Sequence, residues 1–378
     1  MTEPSILFTP FDIKHLTLKN RITMAPLFLG YANADGTVSP LLLDHYKEMA
    51  ASGAALIVVE NAAVDPSGLG SPFTIRVDHD RFLPGLHDLA RIIHEQGALA
   101  FLQINHAGRY AFTPERLAPS PFKTGDVLPR EMSLDDIERM VEAFGEAAGR
   151  VKAAGFDGVE IHGGTGYLIV QFLSPRTNLR QDGFGGSLED RMRFPLMVVE
   201  RVIEATGGDY PVGYRFLADE ELPEGLHPEE TGFFARELQK RGPAYLSVMA
   251  GTYDSFFLPQ YLEKEKEEAY MAHFAGTIKK TVPQTPVITA GRIQTPETAV
   301  KILEQGTSDL IGLARVLLAD PLWPQKARTG EPIVRCEPSC SLCMKRVMKG
   351  RPAFCTQWDK KRRQSFMERI GEGAEASL

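Results

Sequence analysis

The stretch "SLDDIERMVEAFGEAAGRVKAAGFDGVEIHG", residues 133–163, contains a helical pattern followed at once by a strand pattern. Ser133 and Asp136 resemble a capping box, so we expect a helix to begin there. Apolar residues then recur at helical spacing and predict one buried helix face. That face consists of Ile137, Met140, Val141, Phe144, Ala148 and Val151. The short run "GVEIHG" after the helix is the predicted strand.

The same unit recurs along the chain. Seven more short runs, nearly continuous in apolar residues, suit parallel strands that are buried on both faces. The eight runs are "RITMAPL", "AALIVVEN", "LAFLQIN", "GVEIHG", "PVGYRF", "AYLSVMAG", "PVITAG" and "DLIGLAR". Further helices are predicted to begin after Ser187 and after Thr295, which precedes Pro296. Glycines that follow the helical segments predict C-caps, namely Gly53, Gly97, Gly155, Gly208, Gly242 and Gly306.

Eight strand–helix units predict an α/β fold, a single (β/α)₈ TIM barrel over residues 1–330, with a short extension at 331–378. A doubly wound sheet is the alternative, but no strand is followed by a G-x-G-x-x-G turn. Barrel enzymes place their active sites at the C-terminal ends of the strands. We therefore expect a site from Asn61, Gln103, His106, His162, Arg215, Gly291 and Arg315. Taken singly, each could instead be a structural hydrogen-bonding group.

The net charge and the composition limit the partners and the cellular compartment that the sequence predicts. The formal net charge of −7 argues against nucleic acid or an anionic membrane as the main partner. No apolar run approaches the ~18 residues needed to span a bilayer, and the N-terminus has no signal pattern, which predicts a cytoplasmic protein. In that reducing compartment, four cysteines confined to residues 336–355 indicate metal binding or redox chemistry rather than disulfides.

Four segments resemble the Old Yellow Enzyme family of FMN-dependent ene-reductases (NADH:flavin oxidoreductases). They are "LKNRITMAPL", "QINHAGR", "IHGGTGYLIVQFLSPRTNLRQDGFGGSLEDRMRF" and "GLARVLLADP". The resemblance extends from about Phe8 to Trp323. It implies a flavoprotein oxidoreductase with the barrel fold, FMN across the C-terminal rim, and NAD(P)H as one source of electrons.

By this resemblance, the FMN phosphate lies at Gly291, Ala314 and Arg315, although the family often has Gly in place of Ala314. Arg215 and Gln103 would contact the pyrimidine edge of the ring. Backbone contacts to the ring would come from Ala25, Pro26, Leu27 and Asn61, and Phe28 stands where the family commonly has Cys or Thr. A salt bridge that closes the barrel is the alternative role for Arg215.

The resemblance also implies the catalytic residues. Tyr167 matches the tyrosine that protonates the alkene α-carbon after hydride transfer from flavin N5. His162 matches one of two hydrogen-bond donors to the substrate carbonyl, but Thr165 stands where the family has His or Asn. The loop "TYDSFFLPQYLEKEKEEAY" is expected to shape the pocket through Tyr253, Phe256 and Phe257, or else to form a dimer contact.

The cysteines Cys336, Cys340, Cys343 and Cys355 have the spacing C-x3-C-x2-C-x11-C. A branch of the family that includes 2,4-dienoyl-CoA reductase and trimethylamine dehydrogenase usually has C-x2-C-x3-C-x11-C, and there the cysteines hold a 4Fe-4S cluster. We therefore predict an iron–sulfur cluster, with zinc or reduced thiols as alternatives. The run "MKRVMKGR" between the cysteines is interpreted as a solvated basic face or as charge compensation for thiolates.

The predicted function is reduction of the C=C bond of an α,β-unsaturated carbonyl or thioester. The alternatives are an oxidative demethylase or dehydrogenase of an N-methylated amine, and an electron-transfer flavoprotein subunit. Because 23 residues follow Cys355, we expect the nucleotide-binding domains of the larger relatives to be missing. Electrons would then come from NAD(P)H or from a protein such as a ferredoxin or flavoprotein. A small-molecule substrate and a homo-oligomer are expected.

Overall fold

A computed structural model describes residues 5–372. The strands are β1 Phe11–Ile13, β2 Leu16–Leu18, β3 Ile22–Met24, β4 Leu56–Ala63, β5 Ile75–Arg76, β6 Leu99–Asn105, β7 Leu117–Ala118, β8 Arg130–Glu131, β9 Gly158–Gly163, β10 Val212–Leu217, β11 Tyr245–Met249, β12 Val287–Thr289 and β13 Leu310–Leu313. Eight of them are parallel and close into a barrel in the order β3, β4, β6, β9, β10, β11, β12, β13, and β13 pairs with β3. The predicted (β/α)₈ barrel is confirmed, and each of the eight predicted runs overlaps one barrel strand, although β4 and β10 extend two residues and one residue past their runs.

Helices surround the barrel and cover its C-terminal end. They are α1 Pro40–Ala51, α2 Leu83–Glu95, α3 Leu134–Ala153, α4 Leu168–Leu173, α5 Leu188–Thr206, α6 Pro228–Arg241, α7 Pro259–Lys264, α8 Ala272–Thr281, α9 Pro296–Glu304, α10 Arg315–Ala319, α11 Trp323–Thr329, α12 Leu342–Met348 and α13 Lys360–Arg369. None of the helices in residues 5–372 is long and apolar enough to cross a membrane.

The predicted helix starts agree with the structure. Ser133 and Asp136 form a capping box, and the six apolar residues predicted for that helix face are buried. Ser187 and Thr295 cap α5 and α9. The C-cap prediction at Gly208 is wrong by one residue. Gly207, with a φ of 75°, ends α5 by donating its N–H to the carbonyl of Glu204, because its left-handed backbone turns the chain out of the helix.

The apolar core has two main parts. The larger cluster lies between the barrel and its helices and also contains residues of the extension, such as Phe354, Trp358 and Phe366. The second cluster contains large strand side chains such as Phe101 and Tyr245, together with residues of the β1–β2 hairpin. Strands that are buried on both faces are expected to contribute side chains to two apolar clusters, one on each face of the sheet.

The extension is tied to the barrel by main-chain and side-chain hydrogen bonds. The Ala353 N–H donates to the Leu29 carbonyl at 2.9 Å, and the Tyr31 hydroxyl donates to the Ala353 carbonyl at 2.5 Å. The Trp358 indole donates to the Leu318 carbonyl at 2.7 Å. These contacts fix the cysteine segment beside the C-terminal end of the barrel. The domain boundary at residue 330 stays a prediction, and residues 373–378 of the predicted polar tail lie outside the described residues.

Candidate functional site

Two adjoining cavities of about 500 and about 210 Å³ lie at the C-terminal ends of the barrel strands. They share Pro26, Leu27, Arg215 and Arg315 in their walls, so they form one continuous trough. Every residue predicted to bind FMN or to act in catalysis lines one or both. These are Ala25, Pro26, Leu27, Phe28, Asn61, Gln103, His162, Thr165, Tyr167, Arg215, Gly291, Ala314 and Arg315.

His106, also expected at this rim, has a different position. Its ring is buried, and its Nδ1 accepts the Gly108 N–H at 3.0 Å while its Nε2 lies 3.0 Å from the Ser67 hydroxyl. Burial lowers the pKa of His106 to about 4, so the ring is neutral at pH 7. His106 therefore anchors the loop after β6 and does not line either of the two cavities.

A buried carboxyl group supports the floor of the site. Glu160 of β9 accepts hydrogen bonds from Gln103 Nε2 at 2.7 Å and from the Tyr245 hydroxyl at 2.9 Å. Burial raises the pKa of Glu160, and the charge of Arg215 acts in the opposite direction. The three polar side chains come from β6, β9 and β11, of which only β6 and β9 are paired, and this network fixes the orientation of the Gln103 amide.

Arg215 of β10 supplies positive charge within the trough. Its Nη1 donates to the Ser247 hydroxyl at 2.7 Å. Within residues 5–372 it makes no ion pair with a carboxylate, so the salt bridge considered from the sequence is not found there. A guanidinium has five N–H donors, which leaves most of them available to a ligand. Burial lowers the pKa of Arg215, and Glu160 counteracts this effect.

His162 and Thr165 are coupled to each other. The Thr165 hydroxyl lies 3.0 Å from His162 Nε2 and donates to the Gly164 carbonyl at 2.9 Å. His162 Nδ1 is buried, and it has no hydrogen-bond partner among the described residues. Burial, followed by the charge of Arg215, lowers the pKa of His162 to about 3. The histidine is therefore a neutral hydrogen-bonding group at pH 7. Thr165 has a φ of 54°, an unusual conformation for a β-branched residue.

Tyr167 is part of a group of three tyrosines. Its hydroxyl lies 3.0 Å from the hydroxyl of Tyr253, and the Tyr110 ring packs 5.1 Å from that of Tyr253. Tyr110 in turn donates to Asp254 at 2.6 Å. Burial, reinforced by the neighbouring Tyr253, raises the pKa of Tyr167 well above its ordinary value of 10. Tyr167 thus stays protonated throughout the neutral range.

The far end of the trough contains the residues predicted to hold phosphate. Gly291 has a φ of 104°, and a Cβ at this position would lie 2.9 Å from Met271 Cγ, so only glycine fits without movement. Arg315 forms an ion pair with Glu265 at 3.2 Å. Glu265 also lines the cavity, and its carbonyl accepts a hydrogen bond from Arg292 Nε at 2.6 Å. The sequence reasoning did not identify Glu265, since it lies in a charged loop segment without a distinctive pattern.

Helix α12 covers the trough. Met344 and Met348 line both cavities, and Val347 lines the smaller one. These positions follow the i, i+3, i+4 spacing of a helix face, which was a usable signal within "MKRVMKGR". The sequence interpretation considered only the basic residues of this run and missed its apolar side.

All four cysteines line one small cavity next to the trough, together with Arg315. Their thiols are free and half-buried. Burial raises the pKa of the Cys336 and Cys343 thiols, and raises that of Cys355 to about 11. Within residues 5–372, no group of three or more His, Cys, Asp or Glu side chains is arranged to hold a metal ion. The four cysteines thus line one cavity without forming a metal-binding group, and the cluster stays a prediction.

Comparison with known proteins identifies relatives of this chain. A model of the NADH:flavin oxidoreductase / NADH oxidase family matches residues 6–333. The NADH oxidase of Thermoanaerobacter brockii is 44% identical in an alignment of 340 residues, which covers 87% of this chain and 52% of that protein. The chain thus spans about half the length of this curated relative.

Two solved structures are similar in fold. A 2-naphthoyl-CoA reductase in complex with 2-naphthoyl-CoA has a TM-score of 0.89 and 28% identity, covering 93% of this chain and 57% of its own. Histamine dehydrogenase from Rhizobium sp. 4-9 has a TM-score of 0.83 and 29% identity, covering 95% of this chain and 53% of its own. Both matches extend past the family model's last residue, 333, into the extension.

Proposed function

The chain belongs to the NADH:flavin oxidoreductase / NADH oxidase family, and from this premise we propose that it reduces the C=C bond of an α,β-unsaturated carbonyl or thioester. It is an FMN-dependent oxidoreductase by family. The observation that carries the specific proposal is the position of Tyr167, His162 and Arg215 in the wall of one trough.

The residues of the trough fit FMN. The larger cavity, of about 500 Å³, is of the size that cofactor sites have. His162 lines the trough, and the largely free guanidinium of Arg215 offers N–H donors within it. Gly291 and Ala314 leave room for a phosphate beside Arg315. When bound, FMN supplies a ring that exchanges a hydride with the substrate.

Tyr167 is proposed as the acid. Its raised pKa keeps the proton on its oxygen until a carbanion develops at the α-carbon of the substrate. Tyr253, whose hydroxyl lies 3.0 Å away, is proposed to orient the Tyr167 hydroxyl and to return a proton to it after turnover. The substrate oxygen is proposed to share, with the Thr165 hydroxyl, the single hydrogen bond that the Nε2–H of the neutral His162 ring donates. Since the Thr165 hydroxyl already contacts His162 and Gly164, it is proposed to orient the histidine.

Replacement of Tyr167 by phenylalanine tests the proposal. In an anaerobic single turnover with an α,β-unsaturated ketone and with an unsaturated CoA thioester, Tyr167→Phe is expected to slow alkene reduction by about a hundredfold or more. Tyr214→Phe is a matched control, because Tyr214 is a buried barrel tyrosine outside both cavities. An unchanged rate for Tyr167→Phe with both substrates would refute the proposed acid.

We further propose a 4Fe-4S cluster at Cys336, Cys340, Cys343 and Cys355. A four-iron cluster takes one thiolate per iron, and four free thiols line a single cavity here. When present, the cluster transfers single electrons. Iron, sulfide and zinc should be measured on anaerobically purified protein. About four irons per chain are expected, with loss of iron in Cys340→Ala. Stoichiometric zinc without sulfide would contradict the cluster.

Oxidation of an amine is the second candidate function. It is supported by the similarity to histamine dehydrogenase and by the engagement of Thr165 with His162, which leaves a single donor for a carbonyl oxygen. Anaerobic mixing with N-methylated amines, without nucleotide, separates the two functions. Bleaching of the flavin by an amine, together with no alkene reduction, would favour this alternative.

A further inference from the structure

The extension has the opposite charge to the rest of the chain. Residues 331–372 contain ten lysines and arginines and five acidic residues, in a chain whose net charge is −7. The remainder is therefore strongly acidic. Such asymmetry between two parts of one chain indicates a surface for a negatively charged partner.

Part of this positive charge is neutralised within the protein. Arg346 pairs with Glu372 at 2.9 Å, Arg362 with Glu48 at 2.6 Å, and Arg369 with Asp44 at 2.6 Å. Six other basic residues of the extension are exposed and form no ion pair within residues 5–372, and one of them, Arg335, precedes the cysteines. We call the five that follow Cys343 the basic rim, which consists of Lys345, Lys349, Arg351, Lys360 and Lys361.

The basic rim lies close to the cysteines. Lys345 is two residues after Cys343 in α12, and Lys360 is five residues after Cys355 at the start of α13. The thiols are half-buried, so they are near enough to the surface for a bound protein to approach. Two exposed carboxylates oppose this charge, namely Glu337, which lines the cysteine cavity, and Asp359, which precedes Lys360.

We propose that the basic rim is the docking surface for a small acidic one-electron carrier protein, which would reduce the 4Fe-4S cluster proposed at the four cysteines. This inference rests on the proposed function and the proposed cluster, and it names their partner. Two carriers are each oxidised by one electron, and the two electrons together with two protons convert one C=C bond into CH–CH. Opposite charges favour encounter in the productive orientation, so binding must weaken as salt increases.

The test is a titration of the intact holoprotein with a purified acidic 2Fe-2S ferredoxin, followed by calorimetry at about 20 and about 300 mM salt. The charge-reversed variant Lys349→Glu/Lys360→Glu/Lys361→Glu is expected to raise Kd at low salt by at least about tenfold. A matched variant, Lys240→Glu/Lys280→Glu/Lys301→Glu, changes the net charge equally on α6, α8 and α9 and should change Kd less than about twofold. FMN content and the melting temperature establish that both variants are folded.

Three results would overturn the docking surface. The first is a Kd for ferredoxin that does not change when the charges of the basic rim are reversed. The second is an equal loss of ferredoxin affinity in the rim variant and the matched variant. The third is binding of polyglutamate as tight as that of ferredoxin, which would make the rim a non-selective anion surface. Reduction of the unsaturated ketone with dithionite in place of the carrier separates the two proposals. If wild-type protein binds ferredoxin but fails this reaction, the proposed function fails and the docking surface stands.

Discussion

Glu265 places a carboxylate at the end of the trough where FMN phosphate is proposed to bind. It is paired with Arg315 at 3.2 Å, so part of the attraction of Arg315 for phosphate is offset. We expect Glu265→Gln to tighten FMN binding by about fivefold, equivalent to about 1 kcal/mol, since a repulsive charge is removed. Titration of apoprotein by flavin fluorescence measures this. Glu267→Gln, at an exposed position of the same loop, is the control. Weaker binding would instead indicate that Glu265 positions Arg315.

Single residues that follow a strand could be predicted from the sequence, and their partners could not. Tyr167, His162 and Arg215 were identified because each lies in a recognisable motif or at the end of an apolar run. The contact between Tyr167 and Tyr253 joins residues 86 positions apart. It depends on how two loops meet, where the Thr165–Thr252 bridge brings them together. Local pattern carries no information on such a contact.

Helix α12 is the element whose position in the structure differs most from the interpretation of its sequence. It covers the trough with Met344, Val347 and Met348, while Lys345 of the helix and Lys349, which follows its last residue, belong to the basic rim. Cys343 lies in its first turn, so one short helix takes part in the trough, the cysteine cavity and the surface. The amphipathic pattern was visible, but which surface it would cover depended on the path of the whole extension.

Truncation of the apolar face of α12 should weaken substrate binding. We expect Met344→Ala/Val347→Ala to raise KM for a small enone by roughly fivefold to tenfold, since buried apolar contact is lost at about 0.8 kcal/mol per CH₂. If kcat is unchanged, the higher KM means that these side chains bind the substrate equally strongly in the ground state and in the transition state. Steady-state assays driven by dithionite give both constants. Met197→Ala is the control for a loss of protein stability, because Met197 is a half-buried residue of α5 that lines neither cavity. An equal KM for all three proteins would exclude contact with substrate.

At the scale of the whole molecule, the order of the strands in the barrel could be predicted, because each strand–helix unit has a recognisable local sequence pattern. The closure of β13 on β3 follows from the barrel rule and needs no special residue. The position of the extension could not be predicted. Its hydrogen bond from Tyr31 to Ala353 joins residues 322 positions apart. The sequence therefore places the trough at the rim but leaves its cover undetermined.

His45 makes the junction between barrel and extension sensitive to acid. It lies in α1, packs 5.5 Å from the Tyr31 ring, and Tyr31 packs 5.7 Å from Phe366 of the extension. Burial, followed by the charge of Arg362, lowers the pKa of His45 to about 3. Because the unfolded chain binds a proton near pH 6.5 and the folded chain does not, this group favours folding above pH 6.5. Its contribution is lost progressively as the pH falls towards 3.

The expected loss from His45 alone is about 2 kcal/mol of unfolding free energy between pH 7 and pH 5. Urea unfolding of wild type and His45→Gln at both pH values measures it. His106 and His162 have lowered pKa values of the same sign, and they cancel in the comparison because both proteins contain them. His15→Gln removes an exposed histidine and should retain the wild-type dependence on pH. If His45→Gln loses as much stability as wild type between these pH values, His45 does not couple the junction to pH.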